Sequence, residues 1–433
     1  MDIIWQQAEA MADEIIRLRR DLHKYPETGW TEFRTASIII TALKKLGYEV
    51  YFGADVLDAQ SMMGLPAEEK LQACMQRAVS EGADADLVEL MQGGKTAVMA
   101  VLRGSKPGKT VAFRFDMDCN DVDEAKNDKH RPYREGFASV HENAMHACGH
   151  DGHVAAGLAF AKLLKQYQTE LAGKVKLIFQ PAEEGVRGAY AMVKAGVIDD
   201  ADYCFGGHLG FKATENDSLI CSTGEFLATA KLDVTFYGRA SHAGLLPEAG
   251  KNALLAAAQA SISLNTIARH SKGASRINVG ILKAGTGRNI VPDKAELKLE
   301  TRGADTEINN FMEQEAVRII KACADMYDVK VRIVKAGSAP SGVADTGLGA
   351  EIAALAESKG TYQKIIPCTS MGGSEDYTYF LEQINKQGGR GLYMMYGTRL
   401  AAGHHNSYFD FDEQCLWKMA AFLTELALHY THK

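Results

Sequence analysis

Apolar positions along the chain follow two different periods, and these periods predict its elements. Apolar residues recur at helical spacing over residues 7–45, on both sides of a break at YPETGW, and the strand GYEVYF follows. After an irregular or helical excursion at 53–95, the strands TAVMAVLRG, KTVAFRFDMD, KVKLIFQ and DYCFGGH alternate with helices after GHDGH and near GAYAMVKAG. This alternation predicts a parallel or mixed sheet with helices on both faces.

Residues 225–340 follow a different order. The strand AKLDVTFYG, a helix, the strands SRINVGILKAG and KAELKLETRG, a second helix and the strand VKVRIVKA form the sequence βαββαβ. That order is typical of a compact two-layer, ferredoxin-like domain. The predicted fold is therefore α/β: residues 1–224 and 341–433 form one mixed-sheet domain, into which the two-layer domain is inserted.

Composition excludes several classes of protein. The chain has 433 residues, 46% hydrophobic and 24% charged, which is typical of an ordered protein with two domains. A net charge of −7 without a dense Lys/Arg stripe argues against a nucleic-acid partner. The N-terminal stretch lacks the apolar core of a signal peptide, and no apolar run is long enough to cross a bilayer. We therefore expect a cytoplasmic protein with no membrane partner, whose eight cysteines, without a CxxC pair, are reduced.

Side chains that can bind a metal follow several predicted strands. The stretch MHACGHDGH, residues 145–153, contains Cys148 and His150, and the strand ends add Asp116, Asp118, Glu183, Glu184, His208, His404 and His405. The carboxyl ends of strands in an open α/β sheet line the ligand site. A mixed set of thiolate, imidazole and carboxylate suits Zn²⁺, Mn²⁺ or a similar ion. This convergence favours a metal site over the separate alternatives of surface histidines, a solvated glutamate pair and a packing cysteine.

A thiol nucleophile is the alternative that uses the same stretch. Cys148 would then need a histidine as its base, and His150 or His153 could be placed to serve.

The order of the motifs resembles a known family over nearly the whole chain. The motifs RRDLHKYPETGWTEF, FRFDMD, MHACGHDGH, FQPAEEG, GGHLG, ASHAG, GTGRNIVP, MGGSED and HNSYFDFDE occur in that order. The chain is thereby identified as a member of the M20 family of metallopeptidases and amidohydrolases, in the branch of N-acyl-amino-acid, hippurate and auxin-conjugate hydrolases. The resemblance implies a catalytic metallohydrolase domain for residues 1–224 and 341–433, and a lid and dimerisation domain for 225–340.

The resemblance also implies the residues of the site. Two divalent ions in each protomer, Mn²⁺ or Zn²⁺, would be held by Cys148, His150, Glu184, His208 and His405. The family pattern H-x-[PS]-x-F-D-F matches HNSYFDF and selects His405 over His404. Glu183 matches the general base, and a metal-activated water does need a proton acceptor. Asp118 matches the residue that orients a ligand from behind, whereas His146 and His153 match no ligand position.

Three residues of the predicted lid are candidates for catalysis and substrate binding. His242 in ASHAG resembles the lid histidine that reaches the site of a neighbouring protomer and stabilises the oxyanion. Asn289 resembles a residue that binds the substrate carboxylate, although a turn residue ahead of Pro292 is the alternative. Arg288 is our own addition, since a cation would suit a dicarboxylate; a solvated arginine is the alternative.

The implied activity is metal-dependent hydrolysis of the amide of an N-acyl amino acid. Within the family, the excursion at 53–95 and the ending GHHNSYFDFDE resemble most the members that cleave p-aminobenzoyl-glutamate to p-aminobenzoate and glutamate. GGHLG lacks the aromatic residue that often follows this histidine, and ASHAGLLPEAGKNA lacks the usual PHxGxD run, which puts the substrate preference in doubt. The alternatives are a general N-acyl-amino-acid amidohydrolase and a non-catalytic paralogous partner of an active chain. A homodimer, or a heterodimer with a paralogous chain, is the expected assembly.

Overall fold

The protein forms two compact units in a computed structural model that describes residues 3–433. The predicted first domain began at residue 1, so its first two residues lie outside the described part. The first unit comprises the described residues up to Gly224 together with Val343–Met371 and Tyr379–Lys433. The second comprises Glu225–Gly342 and Gly372–Thr378.

The first unit contains a mixed sheet of eight strands. These are β1 (Glu49–Phe52), β2 (Val98–Arg103), β3 (Lys106–Asp116), β4 (Ala172–Gln180), β5 (Tyr203–Leu209), β6 (Ser218–Ile220), β12 (Lys364–Ile366) and β14 (Arg390–Tyr396). Their spatial order is β1-β2-β4-β3-β5-β14-β6-β12. A separate short pair joins β7 (Thr223–Gly224) to β13 (Thr369–Ser370).

Helices account for most of the remaining regular structure of this unit. They are α1 (Ile3–Glu9), α2 (Ala12–Lys24), α3 (Phe33–Lys45), α4 (Glu68–Ser80), α5 (Ala85–Leu90), α6 (Arg131–Arg134), α7 (His150–Gln166), α8 (Ala189–Lys194), α11 (Thr346–Lys359), α12 (Thr378–Lys386) and α13 (Cys415–Thr431). Strands β5 and β14 are buried along almost their whole length, as parallel strands with both faces covered should be. The α/β fold class predicted from the sequence is confirmed.

The central strands bring their carboxyl ends to one edge of the sheet. β3 is parallel to both β4 and β5, and β5 is parallel to β14. The residues that end these four strands, Asp116, Gln180, Leu209 and Tyr396, therefore lie along the same edge. This is the edge at which an open α/β sheet forms its ligand site.

The second unit has two layers. Its antiparallel sheet has the order β11-β8-β10-β9 and comprises β8 (Ala228–Tyr237), β9 (Ser275–Ala284), β10 (Lys294–Gly303) and β11 (Lys330–Ala339). Burial alternates along β8 and β10, so one face of the sheet packs against α9 (Ala253–Leu264) and α10 (Thr306–Met326). The order along the chain is the predicted βαββαβ.

Two expectations from composition bear on the whole chain. All eight cysteines are free thiols, and seven of them are buried. Among residues 3–433, every helix is too short or too polar to span a bilayer.

Candidate metal centre

Cys148 and His208 meet at the carboxyl edge of the sheet. Cys148 lies in the loop before α7, and the turn into that helix passes through Gly149, whose φ of 90° is a left-handed conformation that favours glycine. The Cys148 Sγ is 3.4 Å from His208 Nε2. The other ring nitrogen of His208 donates to the carbonyl oxygen of Leu209, 2.7 Å away. That hydrogen bond selects the tautomer in which Nε2 faces the thiol as an acceptor.

His150 has a buried ring nitrogen that faces carboxylates. Its Nδ1 donates to the carbonyl oxygen of Asp118 at 2.8 Å, and its buried Nε2 makes no hydrogen bond. That Nε2 lies 3.8 Å from an oxygen of Asp116 and 4.0 Å from one of Glu183. Burial opposes a charged imidazole, but the charge of Asp116, the contacts with Asp118 and the charge of Glu184 outweigh it and raise the pKa of His150 to about 10. The surrounding carboxylates thus favour positive charge at this point.

Two buried carboxylates hold the turn that carries Glu183 and Glu184. One oxygen of Asp118 accepts the backbone N–H of Glu183 at 2.9 Å, and the other accepts that of Glu184 at 3.0 Å. Glu32 accepts the backbone N–H of Ala182 at 2.8 Å. Ala182 has a φ of 51°, which is strained for a residue with a Cβ. The turn therefore depends on these two acceptors to present its glutamates.

His405 approaches Glu184 from the loop after β14. The His405 Nε2 is 3.3 Å from the Oε1 of Glu184, and the backbone N–H of His405 donates to the carbonyl oxygen of Ala147 at 2.8 Å. Burial opposes ionisation of Glu184, but the contact with His405 and the charge of His150 lower its pKa to about 2. The side chain of His405 is 55% exposed, so this part of the site is open to solvent.

His153 and His404 lie close by in different environments. The Nδ1 of His153 contacts Asp116, while its Nε2 accepts the backbone N–H of Leu209 at 3.0 Å. Both nitrogens of His153 are therefore engaged, and its place in the site is that of a support. The His404 ring stacks on Phe211 with centroids 4.1 Å apart, and its Nε2 lies 3.2 Å from the carbonyl oxygen of Leu209.

Candidate ligand atoms form overlapping groups in the first unit. In each group the atoms lie within 4.8 Å of one another, and the groups are Cys148–Glu184–His405, Cys148–His208–His404 and His150–Glu183–Glu184. Cys148 belongs to two of these groups, so its sulfur is placed to contact two ions. The structure thus brings the five predicted ligands and Glu183 together, and it brings His404 into the same region.

The polar atoms at this place fit a divalent cation. His150 Nε2 and Glu184 Oε1 are buried without a hydrogen bond, which is uncommon for polar groups unless an ion or water completes them. The donors are one thiol, several imidazoles and carboxylates, a combination that transition-metal ions accept.

The lid candidates lie in the second unit on exposed segments. His242 forms an isolated bridge with Ile290, and the backbone N–H of Ala243 donates to the carbonyl oxygen of Asn289 at 3.0 Å. His242 Nδ1 accepts the backbone N–H of Gly244 at 3.1 Å, which leaves Nε2 as the outer nitrogen. His242 and Asn289 are therefore neighbours, and Arg288 is an exposed residue of the same segment.

Asp116 received no role from the sequence, but it has one in the structure. Arg114 Nη1 lies 2.6 Å from one carboxylate oxygen of Asp116, and the other oxygen contacts His153. Because Arg114 and Asp116 alternate along the buried end of β3, a charged pair at i and i+2 in an otherwise apolar strand was the available signal.

A second group of residues that sequence reasoning left without a role lies on α2. Its buried residues are Ile15, Arg19, Leu22 and His23, so an arginine and a histidine occupy the apolar stripe of this helix. Charged groups on a buried face require partners, and that pattern could have identified them.

Comparisons with known proteins agree with this geometry. The model of peptidase family M20/M25/M40 matches residues 112–429. Indole-3-acetyl-aspartic acid hydrolase of Enterobacter agglomerans is 46% identical over 99% of both chains. The A chain of the p-aminobenzoyl-glutamate hydrolase of Escherichia coli K12 is also 46% identical over 99% of both chains. The crystal structure of an aminobenzoyl-glutamate utilization protein from Klebsiella pneumoniae, 38% identical, superposes with a TM-score of 0.85 over 99% of this chain and 98% of that one.

Proposed function

The chain belongs to peptidase family M20/M25/M40, and we propose that it hydrolyses the amide between an aromatic acyl group and an acidic amino acid. It is a metal-dependent amidohydrolase. The observation that carries the finer proposal is that the two relatives named above share one substrate chemistry: indole-3-acetyl-aspartate and p-aminobenzoyl-glutamate both join an aromatic acyl group to a dicarboxylic amino acid. We take p-aminobenzoyl-glutamate, which is cleaved to p-aminobenzoate and glutamate, as the preferred substrate.

Five residues would hold two divalent ions, Mn²⁺ or Zn²⁺, in this proposal: Cys148, His150, Glu184, His208 and His405. The membership of Cys148 in two ligand groups supports a thiolate shared between the ions. The unbonded Nε2 of His150 and Oε1 of Glu184 support the assignment of those two. Such ions, when bound, polarise the scissile carbonyl and activate water.

Glu183 would act as the general base and then as the general acid. Its carboxylate takes a proton from the attacking water as the water oxygen bonds to the carbonyl carbon. It then delivers that proton to the amide nitrogen, and the C–N bond breaks to release the amine of the amino acid. Asp118 supports this role because it binds the backbone N–H groups of both Glu183 and Glu184.

The lid residues would act on the carbonyl oxygen and the amino acid. His242 would stabilise the oxyanion, Asn289 would bind the α-carboxylate, and Arg288 would receive the side-chain carboxylate. The pairing of the His242 and Asn289 segments supports their joint action. We propose a homodimer or a heterodimer with a paralogous chain as the assembly. The Escherichia coli relative is named as one of the chains of its enzyme, which supports a second chain here.

A cysteine hydrolase is the second candidate, because Cys148 and His208 are 3.4 Å apart, as a thiol and its base would be. The nearby carboxylate Glu184 opposes formation of a free thiolate. Bound ions would also occupy the sulfur. Alkylation separates the candidates: a metallohydrolase is protected from iodoacetamide by its ions and loses metal binding when the apo chain is alkylated, whereas a thiol enzyme is inactivated in both forms.

The deciding experiment combines metal analysis with a substrate series. Protein purified without chelator is analysed for Mn and Zn, and kcat/KM is measured for p-aminobenzoyl-glutamate, indole-3-acetyl-aspartate and the corresponding alanine and leucine conjugates. We expect the acidic conjugates to be preferred, since buried polar groups that lose a carboxylate partner are left unpaired. A preference for alanine or leucine would indicate a general N-acyl-amino-acid amidohydrolase and leave Arg288 an ordinary surface charge. No turnover, alone or with the paralogous chain, would indicate a non-catalytic role.

A further inference from the structure

A fully buried arginine on α2 lies among carboxylates from distant parts of the chain. Arg19 has no exposed surface, and with His23 it occupies the apolar stripe of α2. Taking an isolated guanidinium out of water costs several kcal/mol, so a buried arginine persists only where anionic partners surround it. Those partners show which chain segments the arginine joins.

The first partner follows a proposed metal ligand directly. The Arg19 Nε lies 2.8 Å from an oxygen of Asp151, and His23 Nδ1 lies 2.7 Å from the same oxygen. The other Asp151 oxygen accepts the backbone N–H of Gly152 at 2.9 Å. Asp151 is the second residue of α7, and His150 is the first. Asp151 therefore fixes the start of the helix that carries His150.

The other partners lie shortly after another proposed ligand. The Arg19 Nη1 is 3.2 Å from Asp410 and 3.2 Å from Glu413. Asp410 follows His405 by five residues, and the intervening loop is closed where the backbone N–H of Ala401 donates to the carbonyl oxygen of Asp410 at 2.8 Å. One guanidinium thus contacts both segments, and these segments contribute His150 and His405.

We propose that Arg19 is a positioning residue for the metal centre: its guanidinium binds Asp151 and Asp410 and so sets where His150 and His405 stand relative to each other. This inference rests on the proposed function, because it takes His150 and His405 as ligands. The residues behind metal ligands typically contribute 10- to 100-fold to metal affinity, since a displaced ligand loses bond geometry. The leading R of the motif RRDLHKYPE would owe its place to this contact.

A purely structural ion pair makes a different prediction. Loss of such a pair would lower the unfolding temperature of the apo and metal-loaded chains equally, and the metal Kd would not change. Loss of a positioning residue would weaken the metal Kd in chain that is still folded. It would also shrink the rise in unfolding temperature on adding metal, because that rise follows the affinity.

The test uses the full chain, Mn²⁺ and Zn²⁺, and competition with a coloured chelator to obtain each Kd. Arg19→Met removes the charge but keeps an apolar stem, Arg19→Lys keeps the charge, and Asp151→Asn removes the partner's charge. Arg20→Met is the matched control: Arg20 is the next residue of α2, and its guanidinium pairs with Glu413 and Glu135.

We expect Arg19→Met and Asp151→Asn to weaken the metal Kd at least tenfold, with Arg19→Lys in between and Arg20→Met within twofold of the parent chain. Folded Arg19→Met with the parent Kd would overturn the inference, as would an equal loss in Arg20→Met. If Arg19→Met does not fold, Asp151→Asn and Arg19→Lys decide by the same comparison. A parent chain that binds neither ion would instead refute the proposed function, and loss of binding in His405→Ala alone would support that function while overturning the role of Arg19.

Discussion

Replacement of Glu183 by glutamine separates proton transfer from metal binding within one turn. The Glu183 side chain is 12% exposed, and its Oε2 is 4.0 Å from His150 Nε2, so an isosteric amide fits the same space. The backbone N–H that Asp118 accepts at 2.9 Å is unchanged by the substitution. We therefore expect the free energy of unfolding to change by less than about 1 kcal/mol. The metal content should equal that of the parent chain.

Activity should respond very differently. An amide cannot accept the proton of the attacking water, and a positioned general base typically contributes about 10²- to 10⁴-fold. That range corresponds to about 3–5 kcal/mol of activation free energy, which should appear as a loss in kcat. The assay is steady-state release of p-aminobenzoate by the metal-loaded chain, together with metal analysis and thermal unfolding of the same sample.

Glu184→Gln is the matched control, because it changes the neighbouring residue of the same turn in the same way. The carboxylate of Glu184 forms groups with Cys148 and His405 and with His150 and Glu183, so its loss should reduce the bound metal. Turnover by Glu183→Gln within tenfold of the parent chain would remove Glu183 from the role of base. Normal metal content in both variants would show that the assignment within PAEEG is wrong.

Three further predictions test other parts of the proposal. His405→Ala should lower metal occupancy, measured by metal analysis after gel filtration, much more than His404→Ala; equal losses would add His404 to the ligands. His242→Ala should lower kcat while sparing metal binding, and mixing it with Glu183→Gln chains should restore part of the activity if His242 acts across the protomer interface; demonstrated hybrids without activity would refute that. Burial opposes ionisation of Glu124, but hydrogen bonds from His130 and His23 lower its pKa from 4.5 to about 2. The stability this gives is present above pH 4.5 and is lost as pH falls towards 2, so the advantage of the parent chain over Glu124→Gln in urea unfolding should shrink by about 1 kcal/mol between pH 6 and pH 4; a constant advantage would contradict the shift.

Much of the fold followed from local pattern. The helical period predicted α2, α3, α7 and α13, and the apolar runs before Asp116, Gln180, Leu209 and Tyr396 predicted the central strands. Strands β6, β7, β12 and β13 are two or three residues long, which is too short for a period to register, and they were not predicted. Helix α6, with four residues, was missed for the same reason.

Much of the site also followed from the sequence, because its residues stand in motifs at strand ends. The ligand-competent residues Cys148, His150, Glu184, His208 and His405 could be named without a structure. The roles of Asp116 and Arg19 could not, although a charge in an apolar strand or stripe marked each of them. A pattern can show that a buried charge needs a partner, but it cannot show which of 55 acidic residues that partner is.

The chain by itself determined the type and order of its elements and the chemical types at their ends, because hydrophobic period and turn residues act between near neighbours. Only the tertiary structure decided which atoms meet: Cys148 Sγ with His208 Nε2 across 60 residues, and Arg19 with Asp410 across 391. It also decided that both nitrogens of His153 are engaged while Nε2 of His150 has no hydrogen bond. These outcomes depend on the packing of strands and helices far apart in the chain, where displacements of about 1 Å decide whether a polar atom finds a partner or is left to bind an ion.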